Sequence, residues 1–99
     1  MIILLVSASF DRIRPMTNKK VTLYSTPTCH FCHLVKDFFT QNKVDYTEFN
    51  VQSDLARRQE MIDKSDQMGV PVIAIADQEG KEDIVIGFEP GTLVELLSL

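Results

Sequence analysis

The chain has 99 residues, which is enough for one small domain with two packed layers but too short for two independent domains. Its apolar fraction of 44% and charged fraction of 24% are ordinary for a globular protein. The net charge of -4 supplies no basic stripe, which argues against binding to nucleic acid or to an anionic membrane surface. Two cysteines are too few for a secreted disulfide scaffold, so we expect a cytoplasmic protein.

The segment over residues 1–16 does not fit easily into such a domain. Residues 2–6 are apolar, but no Lys or Arg precedes them and the run is too short for a signal peptide core or a membrane span. We therefore predict an N-terminal extension over residues 1–16 and a domain over residues 17–99. Either translation begins at Met16, or the extension adds a real strand or arm. The intact mass of the native protein distinguishes the two.

The first predicted strand, over residues 21–25, leads into the only two cysteines of the chain. The apolar residues that follow have the spacing of one face of an amphipathic helix: Phe31, Leu34, Val35, Phe38 and Phe39. This pattern places Cys29 at the helix N-terminus, where unpaired backbone N–H groups and the helix dipole stabilise a thiolate. Cys32, one turn later, is placed to attack a mixed disulfide formed on Cys29. The stretch has the outline of a redox pair.

A second strand and a second helix are predicted next. Residues 44–50 contain β-forming residues with partial alternation. Ser53 or Asp54 can cap the following helix, which extends to about residue 65. The apolar face of that helix is modest and consists of Leu55 and Ile62.

The last part of the chain predicts a hairpin and a terminal helix. Residues 72–76 form a continuous apolar run, typical of a central strand, and a polar turn separates them from residues 84–86. Thr92 and Glu95 offer a capping box for the final helix, while Pro90 suits its first turn if the helix begins earlier. The predicted order is β-α-β-α-β-β-α, an α/β fold with helices on both faces of a four-stranded mixed sheet.

Three stretches together give this pattern a family resemblance. They are Tyr-Ser-Thr-Pro-Thr-Cys-His-Phe-Cys at residues 24–32, Gly-Val-Pro-Val-Ile at residues 69–73 and Ile-Gly-Phe-Glu-Pro at residues 86–90. A Cys-x-x-Cys alone is weak evidence, but the three in this order closely resemble the glutaredoxin family of the thioredoxin-like fold. The resemblance covers roughly residues 20–97. It implies a thiol–disulfide oxidoreductase that reduces protein or glutathione mixed disulfides by dithiol exchange.

The resemblance also assigns roles to individual residues. Cys29 is implied to be the exposed nucleophile and Cys32 the more buried resolving thiol, the order that the helix position of the two cysteines also favours. Pro71 could simply open a strand. The resemblance implies instead a cis Val70–Pro71 bond beside the cysteines, with the backbone of Val70 free to pair with an extended substrate or with glutathione.

The residues between and around the cysteines depart from the family. Glutaredoxins usually have Pro-Tyr between the cysteines, whereas this chain has His30 and Phe31. His30 and His33 fit an ordinary solvated helix face. A sharper hypothesis is that protonated His30 stabilises the thiolate of Cys29 and makes the disulfide easier to reduce.

The sequence leaves the electron source open between glutathione and thioredoxin reductase. Many glutaredoxins hold a glutathione carboxylate with a Lys where this chain has Thr26, and the usual Gly-Gly-x-Asp-Asp is replaced near residues 87–90. Gly-Phe-x-Pro there is closer to small redoxins that are reduced by thioredoxin reductase. Glu89 can still substitute for the missing acid. The predicted substrate or glutathione-binding residues are Thr26, His30, Phe31, Val70, Pro71, Gly87, Phe88 and Glu89.

We expect a monomer with no tightly bound cofactor, with glutathione as a co-substrate and disulfide-containing proteins as partners.

Two metal-centred alternatives are less well supported by the sequence than the redox pair. Residues 29–33 match the Cys-x-x-Cys-His haem attachment pattern, but the chain has no convincing export signal and is rich in predicted strands. Zinc would need a second Cys or His pair, which the sequence lacks.

Two other classes of function remain as alternatives to catalysis. The domain could be a docking or redox-sensing module whose cysteines respond to redox state without turnover. It could also carry an iron–sulfur cluster with the help of glutathione, although the single-cysteine motif usual for that role is absent because Cys32 is present.

Overall fold

The structure, a computed structural model, describes residues 19–99, so the predicted extension over residues 1–16 lies outside the described residues. Within residues 19–99, seven elements follow one another in the predicted order. The strands are β1 (Lys20–Ser25), β2 (Thr47–Asn50), β3 (Val72–Ala76) and β4 (Glu82–Ile86). The helices are α1 (His30–Gln41), α2 (Leu55–Ser65) and α3 (Pro90–Leu97).

The four strands form one mixed sheet in the order β2-β1-β3-β4. Strand β1 pairs parallel to β2 and antiparallel to β3, and β3 pairs antiparallel to β4. The interior position of β3 confirms the prediction made from its continuous apolar sequence. Its residues 72–75 are buried alternately in clusters on the two faces of the sheet, which explains why both faces of this strand are apolar. The antiparallel β3–β4 hairpin is also confirmed.

Two hydrophobic clusters, one on each face of the sheet, fix the helices in place. Helices α1 and α3 contribute to one cluster through Val35, Phe39, Leu93 and Leu97, which pack on alternate residues of β1 and β3. Helix α2 packs its buried Met61 on the other face, against Tyr24 and Val72 among others. The thioredoxin-like α/β architecture predicted from the sequence is therefore confirmed.

The predicted buried face of α1 is wrong at its first position, which is one residue later than predicted. The fully buried residues of this helix are Cys32, Val35 and Phe39, whereas Phe31 is 56% exposed. Because the helix begins at His30 and its core face follows the spacing of three and four residues, the second cysteine takes the first core position instead of Phe31. The first turn of α1 thus exposes an aromatic ring and buries a sulfur.

Three other details of the predicted elements are also corrected. Leu55 is 68% exposed because it is the first residue of α2. Helix α3 begins at Pro90, which suits the first helical position, so the predicted Thr92 and Glu95 capping box does not form. Strand β2 is shorter than predicted because the N–H of Val44 bonds to the carbonyl at the end of α1 instead of pairing in the sheet.

Candidate active site around the Cys29–Cys32 disulfide

A disulfide joins Cys29 and Cys32, whose Cα atoms are 5.2 Å apart, within the range usual for disulfides. Cys29 is the N-cap of α1 and has extended backbone angles. Its sulfur accepts a hydrogen bond from the N–H of Cys32 at 3.0 Å, the role that a Ser or Asp side chain commonly fills at this position. The first turn of α1 therefore directs a backbone N–H at the sulfur of Cys29.

The two sulfur-bearing residues differ sharply in exposure. Cys29 is half-buried at the surface, whereas Cys32 is fully buried at 0% relative exposure on the core side of α1. An incoming disulfide or thiol therefore has access to Cys29 and not to Cys32. This is the order of exposure that the sequence predicts.

The segment that precedes β3 lies opposite the loop that carries Cys29. In the antiparallel register Tyr24 pairs with Val72, and continuing that register places Thr26 opposite Val70. The peptide bond between Val70 and Pro71 is cis, as predicted from the resemblance. Within residues 19–99 the N–H and C=O of Val70 make no hydrogen bond, so both remain open for an added strand.

The segment after β4 is tied to the same place by Gly87. Its N–H donates to the carbonyl of Pro71 at 2.9 Å, and its φ of 86° lies in the left-handed region that favours glycine. Phe88 is half-buried and packs edge-on against Phe38 of α1, with ring centroids 6.1 Å apart. Of the predicted binding residues, Gly87 thus borders Pro71 directly, while Phe88 contributes to the core.

The remaining predicted binding residues lie at helix starts. Glu89 is the N-cap of α3, and its carboxylate accepts a hydrogen bond from Thr92 at 3.3 Å. The rings of His30 and Phe31 contact each other edge-on, with centroids 5.5 Å apart, and both side chains are exposed in the first turn of α1. His30 and Phe31 are therefore accessible to a partner that approaches Cys29, whereas Glu89 is engaged with its own helix.

The sequence did not predict a set of hydrogen-bonded side chains next to the loop that precedes Cys29. Ser25, the last residue of β1, is buried and its hydroxyl donates to the carboxylate of Glu48 at 2.6 Å. The same carboxylate pairs with Lys36 of α1 at 3.1 Å. His33, also on α1, bonds through Nε2 to the carbonyl of Pro27 at 3.1 Å. These contacts connect α1 and β2 to the loop that precedes Cys29.

Glu48 should make the stability of the protein depend on pH. Burial raises the pKa of its carboxyl, but the hydrogen bonds from Ser25 and Lys36 and the charges of Lys36 and His33 outweigh this, so the pKa lies below its ordinary value of 4.5. A lowered pKa stabilises the folded state above pH 4.5, and this contribution is lost as the pH falls through the folded pKa. We expect Glu48→Gln to lower the free energy of unfolding by about 1 kcal/mol at pH 7, a small value because the side chain is one-third exposed and screened by solvent.

Urea unfolding of Glu48→Gln and wild type at pH 7 and at pH 3 measures this difference, which should shrink at the lower pH. The matched control is Glu79→Gln in the turn between β3 and β4. The Glu79 side chain makes no hydrogen bond or ion pair in the part of the chain that the structure describes. A difference for Glu48→Gln that is as large at pH 3 as at pH 7 would contradict the assignment.

Among residues 19–99 the structure brings together no three His, Cys, Asp or Glu side chains that could hold a metal ion. Over the same residues no helix is both long enough and apolar enough to cross a membrane.

The fold and the disulfide at the start of α1 define a thioredoxin-like redox protein with a disulfide-forming Cys-x-x-Cys motif. Residues 21–79 match the family model for glutaredoxin. The chain belongs to the glutaredoxin family.

Similar proteins agree with this assignment. The chain is 36% identical over 77 residues to an uncharacterized glutaredoxin-like 8.6 kDa protein in the rubredoxin operon of Clostridium pasteurianum, an alignment that covers 78% of this chain and 96% of that protein. It is 34% identical over 58 residues to glutaredoxin 3 of Escherichia coli K12, covering 59% of this chain and 70% of that protein. Among solved structures, the thioredoxin-like protein BC3987 is 34% identical with a TM-score of 0.68, covering 78% of this chain and 99% of that chain.

Proposed function

We propose that this protein is a thiol–disulfide oxidoreductase that reduces disulfide-containing proteins by dithiol exchange through Cys29 and Cys32. One observation carries the proposal, the disulfide between a half-buried cysteine at a helix N-terminus and a fully buried cysteine one turn later. This arrangement exposes one sulfur to substrates and keeps the second within bonding distance of the first. Cys29 acts as the nucleophile and Cys32 as the resolving thiol.

The reaction proceeds in two exchanges. The thiolate of Cys29 attacks one sulfur of the substrate disulfide, forms a mixed disulfide and releases the other substrate sulfur as a thiolate. Cys32 then loses its proton and attacks the sulfur of Cys29, which breaks the mixed disulfide and releases the second substrate sulfur. The released thiolates take up protons from Cys32 and from water. Two electrons pass from the dithiol to the substrate, and the protein ends with the disulfide seen in the structure.

The polar groups around Cys29 support the first exchange. The N–H of Cys32 donates to the sulfur of Cys29, and the positive end of the α1 dipole lies at the same point, so both stabilise the attacking thiolate. The open backbone groups of Val70, opposite Thr26, suit an extended substrate segment that adds to the sheet edge beside the disulfide.

Protein disulfides are the substrates we favour, with the cytoplasm as the compartment and the monomer as the active form. Thr26 stands where many glutaredoxins have a Lys that holds a glutathione carboxylate, and Glu89 is bonded to Thr92. Both features weaken a dedicated glutathione site. We expect glutathione to act as a co-substrate of secondary importance and thioredoxin reductase to be the better reductant.

Two assays test this proposal. Insulin reduction by the purified protein with dithiothreitol as the final reductant should proceed over many turnovers, whereas a docking module would bind without catalysing. The oxidised protein is then incubated separately with glutathione and with NADPH plus thioredoxin reductase. We expect faster reduction with the reductase. Absence of turnover in the insulin assay would refute the oxidoreductase, and faster reduction by glutathione would refute the choice of reductant.

A further inference from the structure

The turn that connects β1 to α1 and ends at Cys29 lies on the surface. It spans residues 26–29 and is closed by the N–H of Cys29, which donates to the carbonyl of Thr26 at 3.3 Å. Pro27 occupies the second position of the turn, which its fixed φ favours. Pro27 and Thr28 are both exposed, so packing against the core does not hold them. The orientation of the Cys29 sulfur therefore depends on the contacts that join this turn to α1.

His33, the fourth residue of α1, contacts this turn at two points. Its backbone N–H donates to the carbonyl of Cys29 at 3.3 Å. Its ring nitrogen Nε2 lies 3.1 Å from the carbonyl oxygen of Pro27. Because a carbonyl oxygen can only accept a hydrogen bond, Nε2 is the nitrogen that carries the hydrogen and donates it. The Pro27 carbonyl accepts from no backbone N–H within residues 19–99, so the ring of His33 is its partner there.

We propose that His33 is a positioning residue for the second exchange. The hydrogen bond from its Nε2 to the carbonyl of Pro27 holds the turn against α1 and so keeps the sulfur of Cys29 within reach of Cys32. The inference rests on the proposed function, since it concerns the exchange between these two cysteines. In that exchange the sulfur of Cys32 bonds to the sulfur of Cys29 and the bond from Cys29 to the substrate sulfur breaks. The substrate leaves as a thiolate, which takes up the proton that Cys32 loses.

Of the two cysteines, Cys29 is the one whose position can vary. Cys32 is fully buried on the core face of α1, where close packing fixes its sulfur. Cys29 precedes the first helical residue and is only half-buried, so its sulfur moves with the turn. A turn that is already held in place loses less conformational entropy when the two sulfurs meet. The bond from His33 should therefore raise the effective concentration of Cys32 at a mixed disulfide on Cys29.

The geometry of the contact determines which substitutions of His33 preserve it. Nε2 is the ring nitrogen farther from the backbone, and the side-chain amide nitrogen of glutamine reaches a similar distance, whereas that of asparagine corresponds to Nδ1. His33→Gln can therefore still donate to the carbonyl of Pro27, and His33→Asn cannot. Glutamine also carries no charge, so it separates the hydrogen bond from the charge of an imidazolium. The separation matters because the charge of His33 acts on the nearby carboxyl of Glu48.

The test compares the intramolecular disulfide with a mixed disulfide to 2-mercaptoethanol, a small neutral thiol. The reduced protein is equilibrated at pH 7 with mixtures of 2-mercaptoethanol and its disulfide, at concentrations that populate the mixed disulfide. After quenching and alkylation, intact mass gives the fractions of dithiol, mixed disulfide and intramolecular disulfide. The ratio of intramolecular to mixed disulfide, multiplied by the concentration of free 2-mercaptoethanol, is the effective concentration of Cys32.

We expect His33→Ala and His33→Asn to lower the effective concentration of Cys32 about 2- to 5-fold, the effect of losing one exposed hydrogen bond. His33→Gln should stay close to the wild type. The matched control is Thr40→Ala, which changes an exposed side chain further along α1 and should leave the effective concentration unchanged. Circular dichroism checks that each variant is folded.

The outcomes separate this inference from the function beneath it. An effective concentration in His33→Ala equal to that of the wild type would overturn the positioning role. A loss that His33→Gln does not restore, or that Thr40→Ala shares, would overturn it as well, and the oxidoreductase stands in each of these cases. If the wild type forms no intramolecular disulfide in any mixture, the proposed function fails together with the inference.

Discussion

Cys29→Ser should lose disulfide reduction by a factor on the order of a thousand or more, because a serine hydroxyl at neutral pH is a far weaker nucleophile than a thiolate. Cys29 is the only one of the two cysteines within reach of solvent, so Cys32 cannot take over the attack from its fully buried position. Insulin reduction with dithiothreitol measures the loss. Retention of wild-type turnover in this variant would refute the assignment of the nucleophile.

Cys32→Ser is the matched control because it removes one sulfur while leaving the exposed one in place. This variant still attacks substrates but lacks the thiol that releases them, so it should accumulate mixed disulfides on Cys29. Non-reducing electrophoresis and intact mass show the accumulation directly. If the Cys32→Ser variant turned over without trapped intermediates, a second thiol would be unnecessary and the dithiol route would be wrong.

The order of the elements was predictable because most strands carry a local apolar pattern, although the weaker pattern of β2 placed its predicted start three residues too early. Residues 72–76 are apolar throughout, which is the pattern of a strand buried on both faces and agrees with their interior place in the sheet. The position of the site was equally predictable. A strand, two cysteines three positions apart and an amphipathic helix fix Cys29 at a helix N-terminus before any tertiary contact is known.

The phase of the first helix was not predictable from apolarity alone. Phe31 is more apolar than Cys32, yet the helix buries the cysteine because the core face is set by Val35 and Phe39 three and seven residues further on. A similar competition decides the start of α3. The fixed φ of Pro90 suits the first helical position, and this outweighed the capping pattern at Thr92.

Contacts between elements distant in the chain were beyond sequence reasoning. The hydrogen bond between Ser25 and Glu48 depends on the parallel register of β1 and β2, which apolar patterning does not specify to the residue. The placement of Thr26 opposite Val70 depends likewise on the antiparallel register of β1 and β3. For the ion pair between Lys36 and Glu48 one local signal was available. Lys36 follows Cys32 by four residues, so the two share a helix face.

Cys29 in the reduced protein should ionise at lower pH than free cysteine, which titrates at a pKa of about 8.5. The N–H of Cys32 and the dipole of α1 both favour its thiolate, and the sulfur is accessible. Alkylation of the Cys32→Ser variant, which carries Cys29 as its single thiol, isolates the effect. At pH 6 we expect a rate about tenfold above that of free cysteine, after allowing for the lower nucleophilicity of a more acidic thiol.

Two companion variants make the alkylation result specific to the geometry of the site. Cys29→Ser retains only the buried Cys32 and should alkylate far more slowly than free cysteine at any pH in the neutral range. His30→Ala in the Cys32→Ser background tests whether His30 adds to the helix effect, since its ring lies in the first turn of α1 beside Cys29. A shift of the alkylation midpoint to higher pH assigns part of the stabilisation to His30, and an unchanged midpoint assigns all of it to the backbone. An alkylation midpoint of Cys29 equal to that of free cysteine would show that neither the N–H of Cys32 nor the α1 dipole stabilises the thiolate that begins the first exchange.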